Sequence, residues 1–173
     1  MKKNTLNYPL YLATDHAGYE LKEKVKIFLQ DEGFNVIDCG NNNFDPNDDY
    51  PDFISKAALE VSKDPDNAKA IIFGGSGQAE AITANKFPEV RCTLFYSPVV
   101  PFGDADVSGR KSEDPFEMIR LTREHNNSNI LSIGARFVTE KIAIQAIKNW
   151  LKTPFGNDER HVRRLDKIKE LEK

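Results

Sequence analysis

Residues 70–86, with the sequence AIIFGGSGQAEAITANK, decide the fold class of this chain. The apolar run Ala70–Phe73 is typical of a buried parallel strand. The turn Gly74–Gly77 follows it directly, and Gln78–Lys86 has the composition of a short helix, with Ile82 among the residues expected to pack. Glycines let the backbone turn sharply and expose N–H groups at the positive end of a helix, so this unit predicts an anion-binding site.

Glu80 stands three residues after Gly77, in the first turn of the predicted helix. A carboxylate beside an oxyanion cradle is the arrangement needed to remove a proton next to a carbonyl group. The same position suits a carboxylate that only caps the helix, so this segment alone leaves both interpretations open. Neither nucleotide motif is complete: Glu80 replaces the third glycine of the dinucleotide fingerprint, and no Gly-Lys-Ser/Thr sequence follows.

The composition is that of one globular domain covering residues 1–173. The chain has a net charge of -3 and is 39% hydrophobic, which argues against general nucleic-acid binding and allows a full core. No apolar run approaches the roughly 20 residues of a membrane span. Because no apolar segment follows Met1–Asn4, no secretory signal is expected, and a cytoplasmic location is predicted. Cysteine and histidine spacing predicts no metal site.

Strand and helix patterns alternate along the chain. The predicted strands cover residues 8–14, 34–38, 70–73, 90–96 and 130–133. The predicted helices cover residues 19–32, 52–62, 78–86, 116–124, 139–152 and 159–173. This alternation predicts an α/β fold, with helices on both faces of a five-stranded parallel sheet. A long irregular loop, residues 97–115, and a charged C-terminal helical tail, residues 157–173, stand apart from this pattern; such long loops often form lids or contact surfaces.

Polar groups gather at four further places. Asp15-His16 follow the first strand, at the end where parallel sheets bind ligands. Residues 40–51 form an acidic loop that is expected to be solvated. His125–Asn129 contains one histidine and three asparagines, which suits either ligand binding or an ordinary turn. Arg160 and Arg164 lie four residues apart, so both point from one helix face toward either a phosphate dianion or solvent.

Seven of these pieces, in the same order, resemble the ribose-5-phosphate isomerase B family, which includes galactose- and allose-6-phosphate isomerases. The pieces are DHAG at 15–18, DYPD at 49–52, GGSG at 74–77, ANK at 84–86, HNN at 125–127, GAR at 134–136 and RHVRR at 160–164. The resemblance implies a Rossmann-like three-layer α/β/α sandwich and an aldose–ketose isomerase without a metal or other cofactor. It also implies a homodimer or homotetramer that acts on a small-molecule phosphosugar in active sites shared between subunits.

The resemblance implies individual roles as well. Glu80 is expected to move a proton between C2 and C1 of the open sugar through a cis-enediolate, and His125 to open the furanose ring. Ser76 and neighbouring backbone N–H groups are expected to hold the oxyanion, and Asp15 to bind hydroxyls and assist proton movement. The other expected substrate-binding residues supply the turn, the phosphate-binding cations and one amide: Gly75, Gly77, Gln78, Ala79, His16, Arg136, Arg160, Arg164 and Asn126.

Two departures from the family pattern keep alternatives open. Many members have a cysteine base where this chain has Gly74, whereas a subset has the glutamate found here as Glu80, usually preceded by glycine instead of Ala79. The 97–115 loop is also longer than is usual in the family. The alternatives are isomerisation of allose or galactose 6-phosphate, and phosphosugar binding without catalysis. A dinucleotide-binding domain is a third, weakened by the broken fingerprint.

Overall fold

The structure, a computed structural model, describes residues 8–172; the polar lead of residues 1–7 and Lys173, the end of the expected tail, lie outside the described residues. The strands are β1 (Leu10–Thr14), β2 (Val36–Asp38), β3 (Lys69–Gly74), β4 (Cys92–Phe95) and β5 (Ile130–Gly134). The helices are α1 (Tyr19–Asp31), α2 (Pro51–Lys63), α3 (Gln78–Ala84), α4 (Glu117–Glu124), α5 (Glu140–Lys152) and α6 (Glu159–Glu170), and a short 3-10 helix covers His16–Gly18.

All five strands are parallel, in the order β2-β1-β3-β5-β4, so the predicted α/β fold with a five-stranded parallel sheet is confirmed. The strands β1 and β3 are neighbours, but the chain leaves them toward opposite edges of the sheet. A crevice opens between the carboxyl ends of two such strands and is the usual ligand site of this architecture. The segments that follow Thr14 and Gly74 therefore border the expected site.

Strand residues alternate between two buried clusters, one on each face of the sheet. In β3, Ile71 and Phe73 pack with α1, α4 and α5, whereas Ala70 and Ile72 pack with α2 and α3. All four side chains are fully buried. Because successive side chains of a strand point to opposite faces, a strand covered on both faces reads as a continuous apolar run.

The connection from β4 to α4 contains neither helix nor strand, as the sequence predicts for residues 97–115. Arg110 anchors this loop, because its guanidinium lies 3.0 Å from carboxylate oxygens of Asp106, Glu117 and Glu124. Two of those carboxylates belong to α4, so the loop is fixed against the helix that ends just before His125. Among the described helices, none has the length and apolar character to cross a bilayer.

Candidate active site

Glu80 lies in the first turn of α3, and its carboxyl group is buried against the glycine turn. The residue is 4% exposed, and Oε2 has no hydrogen-bond partner within residues 8–172. Burial raises the pKa of this carboxyl, although its own backbone N–H lowers it; the charge of Asp15 raises it further. A buried oxygen without a hydrogen-bond partner is costly for a carboxyl that only caps a helix. For a carboxyl that accepts a proton, the same oxygen is available to the substrate.

Gly74 leaves the space that the Glu80 carboxyl occupies. A Cβ at position 74 would lie 1.9 Å from both Cδ and Oε1 of Glu80. A side chain at 74 and this conformation of Glu80 therefore exclude each other. The expected alternatives, a cysteine at position 74 or a glutamate at position 80, are therefore sterically incompatible in this conformation.

The rest of the glycine turn is held from β5. The Ser132 hydroxyl donates to the Gly77 carbonyl at 2.7 Å. Gly77 has a φ of 74°, and a Cβ there would lie 2.7 Å from the Leu94 side chain, so glycine is required. Ser76 Oγ accepts from the Gln78 N–H at 3.3 Å, which places the hydroxyl at the start of α3. The predicted cradle of residues 75–79 is thus a fixed turn beside Glu80.

Asp15 and His16 reach the same crevice from β1. Asp15 is 6% exposed and accepts from the Ala17 N–H at 3.0 Å. His16 Nδ1 lies 2.7 Å from Asp48 Oδ1, and the His16 N–H donates to the same oxygen at 3.0 Å. The side-chain contact with Asp48 raises the pKa of His16, which burial and Arg136 oppose. The imidazole therefore holds its positive charge to higher pH, as phosphate binding favours.

Asp15, His16 and Asp48 also place their donor atoms within 4.8 Å of one another, close enough for one cation. Hydrogen bonds within the protein already engage these groups, and the second Asp48 oxygen accepts from the Asn41 amide. The donor set therefore has a structural use without a metal. The expectation that this chain needs no metal stays a prediction.

Arg136 brings a second cation to the crevice. Its backbone N–H donates to the Gly75 carbonyl at 3.1 Å, and an added Cβ at Gly75 would lie 3.2 Å from its Cζ. The guanidinium therefore covers the glycine turn, and its charge lowers the pKa of His16. The Glu80 carboxyl, His16 and Arg136 thus converge with Asp15 at the carboxyl-terminal ends of the strands.

A second group of expected residues lies toward the amino-terminal ends of the strands, opposite the end where Glu80 lies. In the pairing of β3 with β5, Gly74 lies beside Gly134 and Ala70 beside Ile130. His125-Asn126 precede β5, whereas Glu80 follows β3. A strand of β5's length spans about 16 Å, so one chain does not bring His125 and Asn126 to its own Glu80.

His161 organises this second group. Its ring stacks on His125 with centroids 4.2 Å apart and planes 12° apart, and Arg160 Nε donates to its Nε2 at 3.1 Å. Burial lowers the pKa of His161, and the charges of His125, Arg160 and Arg164 lower it further. A cavity of about 400 Å³ opens beside these residues and is bordered by residues 106–108 of the long loop.

Asp48 and His161 are site residues for which the sequence predicted no role. Asp48 lies in the acidic loop that was expected to be solvated, yet it binds His16. The signal that could have indicated Asp48 was the topology. Because β2 pairs in parallel with β1, the loops that follow these two strands lie side by side. His161 lies within the quoted RHVRR motif, in which only the arginines suggested chemistry.

Comparison with known proteins places the chain among sugar-phosphate isomerases. A profile described as Ribose/Galactose Isomerase matches residues 10–100 and 114–168, which leaves part of the long loop unmatched. Ribose-5-phosphate isomerase B of Mycolicibacterium paratuberculosis is 38% identical, over 95% of this chain and 91% of its own. Ribose-5-phosphate isomerase B of Mycoplasma genitalium with bound ribulose 5-phosphate has a TM-score of 0.83 at 34% identity, over 96% of this chain and 97% of that one. The Clostridium thermocellum enzyme has a TM-score of 0.78 at 34% identity, over 95% and 97%. This chain belongs to the ribose/galactose isomerase family.

Proposed function

We propose that this chain interconverts ribose 5-phosphate and ribulose 5-phosphate. The observation that carries the proposal is the buried Glu80 carboxyl, which has one unpaired oxygen and a pKa raised by burial. Raising the pKa of a carboxyl toward neutrality makes it a more effective base. Relatives named ribose-5-phosphate isomerase B, one of them holding ribulose 5-phosphate, support the same substrate.

The reaction moves one proton between carbons and one between oxygens. Glu80 removes the proton from C2 of the open aldose, the electron pair forms the C1–C2 double bond of a cis-enediolate, and Glu80 returns the proton to C1. Asp15 takes the proton from the C2 hydroxyl and delivers one to the C1 oxygen. The Ser76 hydroxyl and the N–H groups of residues 75–79 stabilise the developing oxyanion.

A second copy of the chain completes the site. His125 protonates the ring oxygen to open the furanose, and Asn126, which is exposed, holds a substrate oxygen. Both lie toward the amino-terminal ends of the strands, opposite Glu80, so they serve the Glu80 of another subunit. A symmetric homodimer exchanges two equivalent sites in this way, because an isologous interface repeats each contact; a homotetramer would contain two such pairs.

The substrate phosphate is held by cations from both subunits. His16 and Arg136 lie beside Glu80, whereas Arg160 and Arg164 lie with His161 in the second group. Charge-assisted hydrogen bonds from guanidinium groups suit a phosphate dianion. These contacts are remote from C1 and C2, so they fix the position of the sugar without taking part in proton transfer.

Mixing two inactive variants tests the shared site. Glu80→Gln and His125→Ala should each lower turnover at least about a hundredfold. After co-expression, half of the dimers are mixed and each mixed dimer has one intact site, so about a quarter of the wild-type activity should return. Activity that stays at the level of the single variants would show that both residues act within one chain.

The substrate is tested separately, with ribose 5-phosphate, allose 6-phosphate and galactose 6-phosphate in deuterated water. Isomerisation should be fastest with ribose 5-phosphate and should introduce deuterium at C1 of the ketose. The hexose phosphates are the second candidate, because loop residues 106–108 border the cavity beside His125. Phosphosugar binding without formation of the ketose would overturn catalysis and leave a binding module.

A further inference from the structure

A separate cavity of about 480 Å³ lies at the amino-terminal ends of the strands. Three cationic residues line it, Lys69, Arg123 and Lys152, together with the amides of Asn127 and Asn157. No acidic residue of the described chain is part of the lining. The wall of this cavity thus consists of positive charges and neutral polar groups beside apolar ones.

Two of these cations are buried without a counter-charge from residues 8–172. Lys69 is 8% exposed, and its Nζ donates to the Tyr8 hydroxyl at 2.9 Å. Arg123 is 7% exposed and donates to the Thr153 carbonyl at 3.2 Å and the Asn127 side-chain oxygen at 3.0 Å. Within residues 8–172, no carboxylate lies within 4 Å of either charged group. Burying a charge with only neutral partners is costly.

The chain neutralises another buried lysine in the ordinary way. Lys22 is fully buried, and its Nζ lies 2.8 Å and 2.7 Å from the two carboxylate oxygens of Asp38. Lys69 has no such partner in the described part of the chain, and burial together with the charge of Arg123 lowers its pKa to about 8. The first seven residues contain two lysines and no acidic residue, so their side chains supply no counter-charge either.

We propose that this cavity binds a phosphate dianion, either free or as a small phosphate monoester, at a site distinct from the active site. A dianion supplies the two negative charges that Lys69 and Arg123 lack, and its oxygens accept hydrogen bonds from ammonium, guanidinium and amide groups. Lys69 begins β3, whereas Gly74 ends it beside Glu80. A strand of that length spans about 20 Å, so one phosphosugar does not reach both places within a chain. The cavity beside His125, Arg160 and His161, which would face another chain's active site, shares only Pro154 with this lining.

The test is calorimetric titration with inorganic phosphate of the assembled Arg136→Ala/Arg164→Ala variant, which lacks two of the proposed phosphate contacts of the active site. One phosphate per chain should still bind. Lys69→Met should weaken this binding at least about tenfold, which is 1.4 kcal/mol. Lys152→Met should also weaken it, and this exposed position guards against a folding defect. Lys148→Met is the control, because it removes a charge from the same helix outside the cavity lining.

Glycerol 3-phosphate distinguishes the two sources of the ligand. Competition with phosphate supports a phosphorylated metabolite, and phosphate binding without competition supports free phosphate. The proposal is overturned if no phosphate binds beyond the active site, or if Lys69→Met and Lys152→Met bind it as tightly as Lys148→Met. Comparison of the three lysine variants is also valid with the arginines intact, since none of the three lysines belongs to the proposed active site.

Discussion

Replacing Glu80 by glutamine should inactivate the protein and stabilise it at the same time. Turnover should fall at least about a hundredfold, the usual effect of losing a general base. Glutamine keeps the shape of the side chain but removes a charge whose oxygen Oε2 has no partner within residues 8–172. A raised pKa means that ionising the buried carboxyl lowers the unfolding free energy of the wild type. Leaving a buried polar group unpaired costs about 1–2 kcal/mol, so a gain of that size is expected in alkaline buffer, equivalent to a rise in Tm of roughly 2–8 °C.

The pH dependence gives the prediction its sign. Because the pKa of Glu80 is raised on folding, the protonated carboxyl favours the folded state. That contribution is fully present below the unfolded pKa and is lost as the pH rises through the folded pKa. The stability difference between Glu80→Gln and wild type should thus shrink in acidic buffer, as measured by thermal or urea unfolding.

A matched control separates this effect from a general loss of negative charge. Glu113 is exposed, so Glu113→Gln should leave both unfolding and turnover close to wild type. Two results would refute the reasoning: a Glu80→Gln variant less stable than wild type in alkaline buffer, or one with near-normal turnover. The first result would show that burying the Glu80 charge does not destabilise the protein. The second would show that Glu80 is not the base.

Three further substitutions test neighbouring contacts. Asp48→Asn removes the carboxylate that raises the pKa of His16, so the rise of KM in alkaline buffer should begin at a lower pH; an unchanged pH profile of KM would separate His16 from phosphate binding. Gly74→Ala would place a Cβ 1.9 Å from the Glu80 carboxyl, so turnover should fall about a hundredfold with a normal far-ultraviolet spectrum; normal turnover would contradict the steric argument. Arg110→Ala should cost about 1 kcal/mol of stability and speed limited proteolysis within residues 97–115, whereas unchanged cleavage would mean that other contacts hold the loop.

The order of the elements was predictable because it depends on local signals. Apolar runs marked the strands, and glycine or proline marked many of the boundaries, as at Gly33 after α1. The orientation of a short helix was not predictable. Ile82 was expected to pack but is 63% exposed, whereas Ala84 is fully buried. A helix of seven residues makes about two turns, which is too short for its apolar spacing to define one face.

The candidate site was predictable in its residue types but not in its contacts. The crevice residues follow β1 and β3, and topology alone brings the ends of those neighbouring strands together. The contact of Asp48 with His16 depends on how an irregular loop folds, and no periodic pattern encodes that. The stacking of His161 on His125 joins α6 to the turn after α4, two segments that are distant in sequence.

The proposed division of the site between the two ends of the strands would have a chemical consequence. Each chain holds Glu80, the proposed base, in a buried crevice, where Gly74 leaves the space and Asp15 adds to its raised pKa. His125, the residue proposed to open the ring, lies toward the other end of the strands and stacks on His161. In the proposed mechanism, a lone subunit can therefore move a proton between carbons but cannot open the ring that hides the reacting carbonyl. We accordingly expect catalysis to depend on assembly of the interface, without any conformational switch.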